Sequence, residues 1–226
     1  EANAIVKELQ IIYRSAIEGK FEIEPVCEDV HSQIELFLTK ALGEAGKKIH
    51  SGRSRNDQVL VAIKLYFRAE IETIVGLTKN VFDTLISLSD SHKEKLMPGY
   101  THMQVAMVSS FGLWFGAFAE ALADDLRQVH AAFQMANLNP LGSAAGYGSS
   151  FPLNRTKTTQ ALGFQDLHYN VINAQMARGK TELATGFALA ALATTMNKMA
   201  RDMCLYIGQD FGFISFPDVL TTGSSI

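Results

Sequence analysis

The sequence predicts an all-α protein built on long helices that pack lengthwise against one another. Three observations carry this. Two proline-free intervals repeat apolar residues every three or four positions, a third is apolar or small nearly all the way round, and no convincing run alternates apolar with polar residues. Proline sets the boundaries, since it lacks the amide hydrogen and breaks helix interiors; it stands at positions 25, 98, 140, 152 and 217.

In chain order, residues 29–42 read as a shorter amphipathic helix capped by Asp29, with Ile34, Phe37, Leu38 and Leu42 turned inward. The first long helix follows from Leu60, Ile63, Phe67, Ile71, Ile74, Leu77, Val81, Leu85 and Leu88, whose mean spacing of 3.5 makes a helical seam. The second follows from Val105, Val108, Gly112, Phe115, Ala119, Leu122, Leu126, Val129 and Phe133, which alternate steps of three and four. Gly112 and Gly116, four apart, would let another backbone approach closely, in the same subunit or a second. The third carries Leu189, Leu192, Met196, Met199, Met203 and Tyr206 on one seam, and its apolar start over residues 183–193 calls for protein on every side. At about 1.5 Å per residue, helices of roughly 30 residues outrun a compact globule of this size. The spacing therefore implies a bundle that completes its core by oligomerising.

Composition narrows the function. The chain has 226 residues, 47% hydrophobic and 19% charged, with 20 basic against 23 acidic side chains and a net charge of −3. That balance gives no general attraction to nucleic acid or to an anionic membrane, so neither is expected as a partner. Cys27 and Cys204 match neither a zinc spacing nor a disulfide framework, which points to a reducing compartment and a cytoplasmic location. The strongest apolar stretch, residues 111–123, contains Glu120 and falls short of the roughly 18 residues of a membrane span. No basic segment followed by an apolar one opens the given sequence, so a secretory leader is not expected from these residues.

Several motifs fail on inspection. Gly179-Lys180-Thr181 lacks the upstream glycine of a phosphate-binding loop, because position 174 is Ala174. Asp124-Asp125 has Gln128 where a third aspartate would complete a metal-diphosphate cluster, and reads as a solvated face. His31 and Glu35 are one helical turn apart without a His-Glu-x-x-His pattern, so no metal is expected. The Gly/Ser-rich residues 142–150 lack the arrangement of a hydrolase elbow and read as a lid or a close turn.

Three segments carry chemistry. Lys47, Lys48, His50, Arg53 and Arg55 crowd the start of the first long helix, whose free amides and dipole favour a small carboxylate. A Pro98-Gly99 turn presents Thr101, His102 and Gln104 at the start of the second, and histidine is the side chain best suited to acid or base work near neutrality. Residues 221–225 form a small-residue loop containing Ser224.

Together, His50-Ser51-Gly52-Arg53-Ser54-Arg55-Asn56-Asp57-Gln58, Pro98-Gly99-Tyr100-Thr101-His102-Met103-Gln104 and Gly223-Ser224-Ser225-Ile226 resemble the three signature regions of the argininosuccinate lyases, in the fumarase/aspartase superfamily. Residues 28–31 and 139–143 are similar to that family as well. The resemblance implies reversible β-elimination of argininosuccinate, or a close analogue, to arginine and fumarate in arginine biosynthesis, with no cofactor. It implies Ser224 as the base and His102 as the group handling the leaving-group proton, although the opposite assignment stays open. Thr101 and Asn56 become substrate contacts, with Arg55, Ser54 and Gln104 as further candidates for carboxylate binding or positioning. It also implies a homotetramer whose sites are shared between subunits. On the same grounds residues 1–54 are the C-terminal part of an N-terminal helical domain and 55–226 part of the central long-helix domain. The C-terminal domain and the lysine of the third signature are expected beyond Ile226, so this chain alone is expected to be inactive. Residues 177–182 stand where many members carry Ser-x-Arg-Asp-Phe, which leaves an acylated substrate open. A sister lyase acting on adenylosuccinate and a crystallin-like structural role are the alternatives.

Overall fold

The structure, a computed structural model, describes residues 1–223. In chain order its elements are α1 (Ala2–Ile17), α2 (Val30–Leu42), α3 (Glu44–Lys47), α4 (Arg55–Ser91), β1 (Leu96–Thr101), β2 (Gln104–Ser110), α5 (Phe111–Ala136), β3 (Leu138–Asn139), α6 (Arg155–Ala161), β4 (Asp166–Leu167), α7 (Val171–Met176) and α8 (Lys180–Tyr206). Helix dominates, as expected, and the strands are short. Contacts divide the chain into two units: residues 1–64 with 138–178, and residues 65–137 with 179–226.

In the first unit, α2 starts as its sequence dictates. Asp29 is extended, and its Oδ1 accepts from the Ser32 amide at 2.7 Å, satisfying a donor that the first helical turn leaves free. Leu38 is buried, Phe37 is 37% exposed and packs on Phe21 with ring centroids 5.9 Å apart, and the other buried side chain is Gln33, whose Oε1 accepts from the Glu24 amide at 2.7 Å. An added Cβ at Gly46 would lie 2.2 Å from the Leu38 carbonyl oxygen, so only glycine lets α3 fold back on α2. Later in the unit, β3 and β4 make a short parallel pair. Buried Asn139 ties that pair to α6, donating to Thr159 Oγ1 at 2.9 Å while its Oδ1 accepts from the Leu141 amide at 3.0 Å.

In the second unit, the C-terminal part of α4 contributes Ile71 and Leu85 to a core shared with Ala119, Leu122, Val129 and Ala132 of α5 and Ala188 and Leu192 of α8. Each large aliphatic side chain so buried stabilises the fold by about 1.5–3 kcal/mol. The seams hold with local corrections. On α4, Leu77 is exposed and Thr78 takes the inward place, because a straight helix drifts from a 3.5-residue repeat. On α5, Asp125 is buried rather than solvated, its Oδ2 accepting from the Thr195 hydroxyl at 2.6 Å. The close approach at Gly112 is made within the chain: an added Cβ would lie 2.6 Å from both Lys93 Cα and the Ser89 carbonyl oxygen. On α8, Leu183, Phe187 and Leu189 remain exposed in the single chain.

The main departure from the expected all-helical course is the antiparallel pair β1–β2. The second long helix begins at Phe111, after Ser110 caps it by accepting from the Leu113 amide at 3.1 Å. Val105 and Val108, spaced three apart, fit the helical seam by coincidence and lie in β2. Pro98 and Gly99 are not a turn either. Pro98 lies in β1 opposite Val108, and the register shifts between Gly99 and Tyr100; a two-stranded ribbon tolerates a proline that donates no hydrogen bond.

Candidate active site

The first cluster lies wholly in the first unit, where α4 begins. Ser54 and Asp57 form a reciprocal cap: Ser54 Oγ accepts from the Asn56 amide at 3.2 Å, and Asp57 Oδ1 accepts from the Ser54 amide at 3.0 Å. Asn56 is exposed. Arg55, by contrast, is drawn to α2 and its own helix. Its Nε lies 3.5 Å from Asp29 Oδ2 and its Nη1 3.3 Å from Glu35 Oε1, while it donates to Gln58 Oε1 at 3.1 Å and to Ser32 Oγ at 3.3 Å. Glu35 also meets His50 Nδ1 at 2.6 Å, which makes it a shared partner of His50 and Arg55. Among the described residues no group of three His, Cys, Asp or Glu side chains is placed to hold a metal ion.

Charge in this cluster is shaped by burial and by the cap. The backbone hydrogen bond from Ser32 holds the Asp29 carboxyl below its ordinary value, with the Arg55 charge adding to the effect. Burial pushes the His31 imidazole down against the pull of Asp29 and Glu35.

The second cluster lies in the second unit, at the tip of the β1–β2 ribbon. Thr101 pairs with Gln104, leaving His102 and Met103 as a two-residue turn with φ of 50° and 62°. Both values are left-handed, as the tight turn matching strand twist requires, yet neither residue is glycine, asparagine or aspartate. Such conformations cost about 1–2 kcal/mol per residue and concentrate at functional sites. Thr101, His102 and Gln104 are all exposed. Behind them, Tyr100 packs edge-on to Phe211 at 5.5 Å, and Tyr206 meets Trp114 edge-on at 5.3 Å, giving the ribbon an aromatic base. Ser224 lies outside the described residues.

The structure thus gathers Ser54, Arg55 and Asn56 at one helix start and Thr101, His102 and Gln104 at one turn. Two features escaped sequence reasoning. The structural role of Asp57 had a signal, the Ser-x-x-acid pattern at a helix start. The His102 turn had none, since neither of its residues is a turn former.

The whole chain, residues 1–226, matches the family described as Lyase. It belongs to that lyase family. Among curated proteins, this lyase-family chain is 59% identical over its whole length to argininosuccinate lyase of Parabacteroides distasonis and 42% identical to that of Stenotrophomonas maltophilia. It covers 51% and 52% of those two proteins, and so spans about half the length of the curated relatives it matches. Among solved structures it is similar to an EDDS lyase variant with bound fumarate. The TM-score is 0.88 at 24% identity, covering 98% of this chain and 43% of that one, a likeness of fold.

Proposed function

We propose that the protein is an argininosuccinate lyase, catalysing reversible β-elimination of argininosuccinate to arginine and fumarate in arginine biosynthesis. The observation that carries this is the 59% identity to a curated argininosuccinate lyase, maintained over every residue of the chain.

The reaction needs a base for the weakly acidic proton beside a carboxylate, stabilisation of the resulting aci-carboxylate, and an acid for the departing guanidino nitrogen. In the proposed mechanism Ser224 removes the proton, the carbon–nitrogen bond breaks, and His102 supplies a proton to the leaving nitrogen. Asn56 and Thr101 contact the substrate, with Ser54 and Gln104 beside them. Arg55 serves the carboxylate through the helix start it anchors. The exposed imidazole on a strained turn supports the role of His102, because such strain persists where a side chain must be presented at a set angle. No cofactor enters these steps.

We further propose a cytoplasmic homotetramer whose sites draw on different subunits, with residues 1–54 closing an N-terminal domain and 55–226 belonging to the long-helix domain. The exposed Leu183, Phe187 and Leu189 on α8 support burial against other copies. The chain by itself is then inactive. Substrate choice is tested by offering argininosuccinate, its N-acylated form and adenylosuccinate to the full-length protein. Preferential cleavage of argininosuccinate is expected; preference for either of the others would reassign the substrate.

A further inference from the structure

Asp57 has no solvent exposure, and its carboxylate serves two separate stretches of the first unit. Oδ1 accepts from the Ser54 amide at 3.0 Å and so closes the cap of α4. Oδ2 accepts from the amides of Gly142 and Ala144, both at 2.9 Å. For two amides so close in sequence to converge on one oxygen, the backbone between them must curl. Gly142 has φ 88° and Ala144 φ 51°, left-handed values that strain an alanine. The turn is gripped from its other side as well. Gln175 Nε2 donates to Ser143 Oγ at 2.9 Å and to the Ala144 carbonyl at 3.0 Å, and Ser143 is fully buried. The Gly/Ser-rich stretch is therefore anchored at its base, and what it anchors to is the first turn of α4.

We infer that Asp57 is a positioning residue: acting through the Gly142–Ala144 turn, it fixes the placement of Ser54 and Asn56 for substrate without touching a reacting atom. The catalytic part of this inference rests on the lyase reading above. An isosteric amide has one acceptor oxygen where the carboxylate has two. Asp57→Asn must therefore set its NH2 against a main-chain N–H, either at Ser54 or at the turn, and one side of the anchor gives way.

The test uses the full-length protein, with argininosuccinate kinetics and hydrogen exchange of residues 54–58 read on the same samples. Asp57→Asn is expected to lose protection over 54–58, to raise KM, and to lower kcat/KM by roughly a hundredfold, the loss that displacement of about 1 Å carries. Gly142→Ala strikes the same turn from outside α4, since its Cβ would lie 2.8 Å from Arg155 Cγ. It is expected to shift both readouts in the same direction, and the double variant to lose little beyond Asp57→Asn alone. If Asp57→Asn fails to fold, Gly142→Ala decides by the same two readouts. Wild-type kinetics and protection in a variant with only a lowered urea midpoint would overturn the inference, as would losses that multiply in the double variant. A parent protein that cleaves nothing, with protection still lost in Asp57→Asn, would overturn the lyase reading and uphold the positioning.

Discussion

His102 and Met103 show how a residue's chemistry and its backbone can pull apart. Both occupy left-handed conformations at a tight turn, and Met103 is exposed, so its strain is offset by no packing. Met103→Gly is expected to raise the unfolding free energy by about 0.5–1 kcal/mol, relief of about 1–2 kcal/mol less glycine's entropy cost of about 0.5–1. Urea denaturation measures this, and a loss of stability would contradict the strain. His31 gives a second prediction at this scale. Burial holds its pKa below the ordinary 6.5, so the unfolded chain takes up the proton first as pH falls. Stability from this group is complete above 6.5 and declines below it. Between about pH 7.5 and about pH 5.5 the urea midpoint should fall further for wild type than for His31→Gln, and equal falls would contradict this. The role proposed for His102 comes from the sequence. Its conformation was not legible there, because the turn is imposed by strand pairing of Thr101 with Gln104 and not by turn-forming residues.

Among the elements, the long helices were legible because their seams are decided by burial, and burial leaves a period in the sequence. Gly112 illustrates how far that goes. Its spacing announced a close approach, and the structure supplies the partners, Ser89 in the last turn of α4 and Lys93 just beyond it. Gly112→Ala is expected to destabilise the protein by about 1–3 kcal/mol, because the atoms met are backbone and cannot turn aside. Gly116→Ala would meet only the Ser89 hydroxyl at 3.2 Å and should cost little. Thermal unfolding of the two variants separates them, and equal shifts would refute the packing. The β1–β2 ribbon was illegible for the complementary reason. In β2 all but the last two residues are exposed, so no buried face wrote an alternation into that strand, and Val105 and Val108 could pass for a helical step.

For the whole molecule, the reading depends on assembly. Asn56 and His102 are both exposed, each in its own unit. If the sites of the full-length protein are shared between subunits, mixing inactive Asn56→Ala and His102→Asn proteins and reassembling them should restore part of the activity. No restoration would show that each subunit holds its own site. The proposal of oligomeric completion starts in the sequence from helices too apolar for one chain to cover, and the exposed α8 residues support it. The proposed reaction comes from the resemblance carried by the signature segments, since composition and charge leave the substrate open. The most direct measurement is fumarate release from argininosuccinate, followed by ultraviolet absorbance, for the full-length protein beside its His102→Asn variant. The lyase account predicts release by the parent and a rate lowered by about 10²–10⁴-fold in the variant, the usual worth of a positioned acid or base. Absence of release by the parent, or an undiminished rate in the variant, would contradict it.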